Sequence, residues 1–158
     1  MKPKVYLESS VISYFTAKPS RDLIQAAHQE ITRNWWENGF PLCDCFISSY
    51  VVEEIQKGDP VAAQKRLDAV KSISVLSSNP EIENLADQFF GKMKIPDHAK
   101  LDCFHLASAV INGMEFILSW NFKHIANPTI KRIYREINYA NGLVTPEICT
   151  PEEILGEI

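Results

Sequence analysis

Lys100 to Ile125, KLDCFHLASAVINGMEFILSWNFKHI, constrains the fold more than any other stretch of this chain. Leu101, Phe104, Leu106, Ala107, Ala109, Val110 and Ile111 place apolar groups nearly all round a helix. A helix of that kind belongs inside a fold, not on its surface. Asn112-Gly113 ends it with residues that tolerate left-handed backbone. Phe116-Ile117-Leu118 then reads as a short strand covered on both faces. Asp102 stands out against this apolar background. It sits in the first helical turn, where the helix dipole favours a carboxylate, with His98 four residues before it and His105 three after. A first-turn Asp facing water is one reading. A site residue is the other, because Ser119-Trp120-Asn121 is a polar break directly after the strand. In a parallel α/β sheet, strand ends and the starts of following helices share the edge where ligands bind.

The remaining elements follow in order. Val5 to Leu7 reads as a first strand running into Glu8-Ser9-Ser10, and Val11 to Phe15 as a short helix or turn. Ser20 is placed to cap a helix from Arg21 to Asn38, closed by Gly39. Leu23, Ala27, Ile31 and Trp35 share one face of it. Trp35-Trp36 reads as a core anchor beside a partner-facing ring, in preference to a base-stacking platform. Pro41 to Ile47 suits a second strand, and Ser48 caps a helix stopped by Gly58. Asp59-Pro60 opens the next helix, with Val61, Ala62, Leu67 and Val70 at apolar spacing. Ile73 to Leu76 is a short strand. Asn79-Pro80, with Glu81 and Glu83 in the first turn, starts a helix ending near Gly91, and Pro96-Asp97 opens the buried helix. Asn127-Pro128 begins a basic helix carrying Lys131, Arg132 and Arg135. Leu143 to Cys149 adds an edge strand, and Thr150-Pro151-Glu152-Glu153 has a capping box. Strands alternating with helices predict a three-layer α/β/α fold on a parallel sheet of about 4–5 strands with right-handed crossovers. There are no repeats or linkers, so residues 1–158 read as one domain.

A net charge of −4 over 158 residues gives no global basic field, so any nucleic-acid contact relies on local patches. No apolar run reaches membrane-spanning length, and MKPKVYLESS turns into a strand too soon for a signal peptide. Cys43, Cys45, Cys103 and Cys149 lie in apolar surroundings without the second pair that a zinc site needs. They read as free thiols in a reducing, cytoplasmic compartment.

On this frame Glu8 ends the first strand and Glu54 follows the second. Asp102 starts a helix that leads into a later strand, and Asn121 follows that strand. Glu53 and Glu54 point about 100° apart, so at most one faces a cleft, and Glu54 lies on the less polar side. A solvated helix face remains the other reading of both. Several carboxylates brought to one edge repel, and they call for a hard cation, Mg²⁺ or Mn²⁺. Such an ion suits phosphodiester chemistry. A second metal set is His98, Asp102 and His105, whose spacing allows one helical face. His105 otherwise fills the core or orients Asp102.

VYLESSVISYF resembles the opening of PIN-domain ribonucleases, which run strand, Asp, small hydroxyl residues and an apolar turn. ISSYVVEEI is similar to their second motif. LDCFHLASAVINGMEFILSWNFKHI resembles the third and fourth, with the Trp-Asn-Phe ending of one VapC-like branch. The ordered set spans nearly the whole chain. The resemblance implies a PIN fold with sheet order 3-2-1-4-5, an acidic Mg²⁺ or Mn²⁺ site and endoribonuclease activity on RNA. It also implies a toxin held by an antitoxin protein, with homodimers common. Carried across, Glu8, Glu54, Asp102 and Asn121 would be the catalytic residues, the first three holding metal, with Ser10 the small polar residue beside the first acid. Lys123, Lys131, Arg132 and Arg135 could grip the RNA backbone, and they read equally as a solvated helix face. Two positions depart from the pattern. Asn121 stands where Asp is frequent, and Glu8 replaces the usual Asp, which carries its carboxylate about 1.5 Å further out. A misplacement of about 1 Å can cost around a hundredfold in rate. A weakened or inactive PIN domain that binds RNA or protein is therefore the alternative reading.

Overall fold

Five short strands carry the chain: β1 (Lys4–Leu7), β2 (Asp44–Ser48), β3 (Ser74–Leu76), β4 (Phe116–Leu118) and β5 (Glu147–Cys149). In the computed structural model, which describes residues 1–158, they form one sheet in the order β3-β2-β1-β4-β5. Every pairing is parallel, with Tyr6 of β1 opposite Phe46 on one side and Ile117 on the other. Eight helices surround the sheet: α1 (Ser9–Thr16), α2 (Leu23–Asn38), α3 (Ser49–Ile55), α4 (Pro60–Val70), α5 (Pro80–Lys92), α6 (Lys100–Ile111), α7 (Pro128–Ala140) and α8 (Pro151–Leu155). Helices α1, α2, α4 and α8 pack among themselves, as do α5, α6 and α7, while α3 touches α1, α4 and α6. The result is the expected three-layer α/β/α architecture with the expected strand order.

Parallel strands buried on both faces read as apolar runs, and the central strand obeys this: Val5, Tyr6 and Leu7 are fully buried. The same logic places α6. Cys103, His105, Leu106, Ala107, Ser108, Ala109 and Val110 are all buried, and Tyr134 of α7 donates to the Leu106 carbonyl at 2.8 Å. Gly113 follows with φ +67°, a left-handed turn that glycine adopts without strain. Side-chain caps form at Ser48, Asp59, Asn79 and Asn127, and Thr150 makes the full capping box with Glu153.

Several local expectations are corrected. Asp22, not Ser20, caps α2, accepting from the Gln25 amide at 2.8 Å. The Ser20 hydroxyl instead accepts from the Asp22 amide and donates to the Gln25 side chain, which forms a turn ahead of the helix. The buried face of α2 is Gln29, Thr32 and Trp35, whereas Leu23 is 86% exposed. Gly39 is needed for space and not for a left-handed turn, since a Cβ there would collide with the Trp35 ring. Trp36 is no free partner surface: it stacks on Phe15 at 4.1 Å and on Phe40 at 5.3 Å. Strand β2 starts at Asp44 because Phe40–Leu42 forms a 3-10 turn around Pro41, which has no N–H for a strand ladder. In α4 the inward residues are Ala63 and Val70, and Val61 is exposed. All four cysteines are free.

Candidate acidic site at the carboxyl edge of the sheet

Parallel pairing ends β1, β2 and β4 at the same edge, and the polar residues that follow them converge there. Glu8 is both the residue after β1 and the N-cap of α1, with extended backbone at φ −79°, ψ 155°. Its carboxylate accepts from the Ser10 amide (3.2 Å), the Ser10 hydroxyl (2.5 Å) and the Ser119 hydroxyl (2.6 Å). Capping a helix start in this way satisfies an otherwise orphaned N–H. Ser10 and Ser119 also accept the Trp120 and Asn121 amides, at 2.8 and 2.9 Å. The Glu8 carboxylate thus ties the start of α1 to the loop after β4.

Glu54 reaches the same edge from α3. One of its oxygens accepts from the Ser9 hydroxyl at 2.7 Å and is hydrogen-bonded to His105 Nε2. The other His105 nitrogen bonds the Tyr6 hydroxyl at 2.6 Å, and that hydroxyl bonds the Ser48 hydroxyl at 2.7 Å. A buried chain therefore runs Ser48, Tyr6, His105, Glu54. Ligating atoms of Glu8, Glu54 and His105 all lie within 4.8 Å of one another. Both nitrogens of His105 are engaged, so it orients Glu54, and not Asp102 as its place in α6 suggested.

Asp102 lies beside this group in the first turn of α6 and is buried. Its Oδ2 is 3.2 Å from His124 Nδ1. His98 is exposed, with its ring 6.4 Å from that of His124. The proposed stripe of His98, Asp102 and His105 fails because Asp97–Ala99 is a 3-10 turn, outside the register of α6. Asn121 uses its side-chain oxygen to accept from the His124 amide at 3.0 Å, and its carbonyl accepts the amides of Ile125 and Ala126. It orders the loop that carries His124.

Burial works against charge throughout the cluster. It raises the Asp102 carboxyl above its ordinary range; His105 opposes this, and the neighbouring Glu8 and Glu54 add to the rise. Burial also works to raise Glu54, but the His105 hydrogen bond and charge and the Ser9 hydroxyl bring it below the usual value. For His105 burial works downward, and its bond to Glu54 with the surrounding carboxylates raises it overall. Burial holds the Tyr6 phenol well above its ordinary value.

No family model and no curated protein sequence matches the chain. Solved structures do. VapBC2 from Rickettsia felis, bound to a DNA fragment from its promoter, superposes with a TM-score of 0.59 at 12% identity, covering 93% of this chain and 98% of that one. VapC20 of Mycobacterium tuberculosis, described as a sarcin-ricin loop cleaving toxin, gives 0.57 at 12% identity over 89% and 96%. The fold is the VapC-type PIN fold.

The PIN fold here separates the basic residues that the sequence grouped together. Lys123 and Arg132 line a cleft of about 590 Å³ together with Lys92, Lys94, His124 and Asn127. Lys131 and Arg135 sit elsewhere, with Tyr134 and the Thr145–Ile148 segment. Neighbouring positions on a helix point about 100° apart, so Lys131 and Arg132 cannot share a face. The sequence reading missed Ser9, Ser119, His124, Lys92 and Lys94. The serines flank strand ends, a signal visible in Glu8-Ser9-Ser10 and Leu118-Ser119. Nothing local links Lys92, the last residue of α5, and Lys94, just beyond it, to a cleft they share with α7.

Proposed function

We propose that this chain, as one domain over residues 1–158, is a divalent-metal-dependent endoribonuclease of the VapC type. The observation that carries this reading is the convergence of Glu8 and Glu54 at one sheet edge, their ligating atoms and those of His105 within 4.8 Å of one another, with Asp102 buried near enough that burial and these acidic neighbours raise its carboxyl above its ordinary value. Mutual repulsion of this kind is what a hard cation relieves. The donor set fits one. Only one oxygen of Glu54 is hydrogen-bonded within the protein, and Asp102 has one oxygen 3.2 Å from His124 Nδ1. Glu8, Glu54 and Asp102 would hold Mg²⁺ or Mn²⁺. When bound, such an ion supplies Lewis-acid polarisation of the phosphate and a lowered pKa for an attacking water. The rest falls to side chains. His105 and Ser9 hold Glu54 in place. His124 sits where it touches Asp102 and lines the basic cleft. Lys92, Lys94, Lys123 and Arg132 attract a polyanion to that cleft, while Lys131 and Arg135 extend the positive charge outward. Asn121 holds the loop between. Asp102 must lose its proton to bind a cation, so metal affinity rises with pH.

The solved neighbours support an RNA substrate and an antitoxin partner, since one is described as a sarcin-ricin loop cleaving toxin and the other is a VapBC complex. A second copy of the chain is the other expected partner. No helix is long and apolar enough to cross a membrane. One observation favours a second reading, an RNA-binding module with weakened turnover. The Glu8 carboxylate already accepts three hydrogen bonds within the protein.

The test is cleavage of single-stranded RNA by purified protein in Mn²⁺, with EDTA as control. Cutting that EDTA abolishes is expected; RNA binding without cutting selects the second reading. In the same preparation Arg132→Ala is expected to flatten the slope of log affinity against log salt by about 0.7. An unchanged slope would remove the cleft from the RNA path.

A further inference from the structure

One loop spans the acidic edge. Its Ser119 hydroxyl donates to Glu8, and its His124 Nδ1 lies 3.2 Å from Asp102 Oδ2. Lys123 and His124 turn to the basic cleft. Trp120 and Phe122 turn the other way, onto α2. There the Trp120 ring stacks on His28 at 4.1 Å, with the planes 17° apart. Phe122 closes on both, 6.0 Å from His28 and 6.1 Å from Trp120, and Tyr14 meets Trp120 edge-on at 6.1 Å. The arrangement is held by hydrogen bonds: Trp120 Nε1 donates to Thr32 Oγ1 at 2.8 Å, and that hydroxyl donates to the His28 carbonyl at 2.6 Å. Trp120 is 6% exposed and serves as support, while Phe122 is 49% exposed. An aromatic ring left half in water yet braced on two others is out of place in a packed core. It suits a flat apolar ligand.

We infer that Phe122, braced by His28 and Trp120, is a base-stacking subsite for an unpaired nucleotide of the RNA next to the bond that is cut. This rests on the ribonuclease reading and goes beyond it. The occupant follows from the neighbours of the ring. Two residues further along the loop lie contacts to the acidic edge, and beyond them the cations of the cleft. A strand laid along the loop meets positive charge for its phosphates on one flank and an aromatic face for a base on the other. Groove charge combined with stacking rings is how proteins hold single strands without reading sequence. A paired base cannot reach the ring, so the subsite selects unpaired RNA. Trp35 and Trp36, the aromatic pair most visible in the sequence, take no part, being buried or stacked on Phe15 and Phe40.

The test is fluorescence anisotropy with labelled single-stranded RNA octamers of randomised sequence, compared with octamers that carry abasic ribose throughout. Phe122→Ala is expected to weaken binding of the intact RNA by roughly 5- to 150-fold. It should leave the affinity for abasic RNA unchanged, and Phe122→Tyr should restore the loss. Equal losses on both RNAs, or none on intact RNA, would overturn the subsite, and an unaltered RNA affinity would leave the exposed ring to a protein partner. The two levels separate cleanly. If RNA binds as described but Mn²⁺ yields no cutting, the subsite stands and the catalytic reading falls. If wild-type protein cuts RNA but Phe122→Ala binds it as tightly, only the subsite falls.

Discussion

Asp102→Asn is expected to lose RNA cleavage in Mn²⁺ by about 10²- to 10³-fold, the scale for removing one preorganised electrostatic group, while becoming more stable to heat in EDTA. The two effects share a cause. In the folded chain Asp102 is buried beside Glu8 and Glu54, and its pKa is raised. A carboxyl whose folded pKa exceeds its unfolded one releases its proton more readily when unfolded. Its charge therefore destabilises the fold as pH rises through that window, and the full penalty persists at neutral pH. Asparagine has no such charge, yet keeps an oxygen for the contact with His124. At pH 3, where Asp102 is protonated in both states, the stability difference should vanish. Cleavage rates and melting temperatures of the two proteins, measured at pH 3 and pH 7 for stability, check this. Wild-type cleavage by the variant, or a lower melting point at pH 7, would contradict it.

His105→Ala should show the largest loss of stability near the site. His105 is fully buried and joins Glu54 to Tyr6. Deleting one member of a buried pair leaves the other without compensation, at about 3–5 kcal/mol. The Glu54 side chain is 31% exposed and regains some water, which points to the lower end, about 3 kcal/mol. For a domain of this size that corresponds to a fall of about 6–12 °C. The pH dependence has a definite sign. The depressed Glu54 contributes stability that is lost as acidification passes its folded pKa, below the normal carboxylate range. The elevated His105 contributes stability that is complete below the ordinary histidine value and is lost as pH rises through its folded pKa. The gap between wild type and variant should therefore be widest in the mildly acidic range and narrow at both ends. A gap that does not vary with pH would mean that packing alone, and not the ion pair, is lost.

The architecture was legible because the signals behind it are local and repeated. The all-round apolar pattern of Leu101 to Ile111, the Asn-Pro and Asp-Pro helix starts and the alternation of strand and helix each act over a few residues. What failed was also local. Leu23 and Val61 are apolar residues at helical spacing that face water, because the helices begin and rotate according to caps that spacing alone does not fix. At the site, Glu8, Glu54 and Asp102 were proposed as one set from the shared edge of strand ends and helix starts and from the resemblance to PIN-domain ribonucleases. Their hydrogen-bond partners could not be named in that way. His105 lies three residues from Asp102 in sequence but bonds Glu54, 51 residues away, and His124 reaches Asp102 from a loop on the far side of β4. Such pairings depend on side-chain reach across layers, which no periodicity encodes. The same holds for the Phe122 platform, which joins His28 of α2 to a ring 94 residues later in the chain.

The measurement that bears most directly on the central claim is anomalous diffraction from crystals soaked in Mn²⁺. A single strong peak is expected between the carboxylates of Glu8, Glu54 and Asp102, with oxygen ligands at about 2.0–2.3 Å, roughly the range for hard divalent ions. Glu8 would then have given up part of its bonding to Ser10 and Ser119 for the ion. No peak at millimolar Mn²⁺, with the Glu8 carboxylate still bonded to Ser10 and Ser119, would contradict a metal-dependent nuclease.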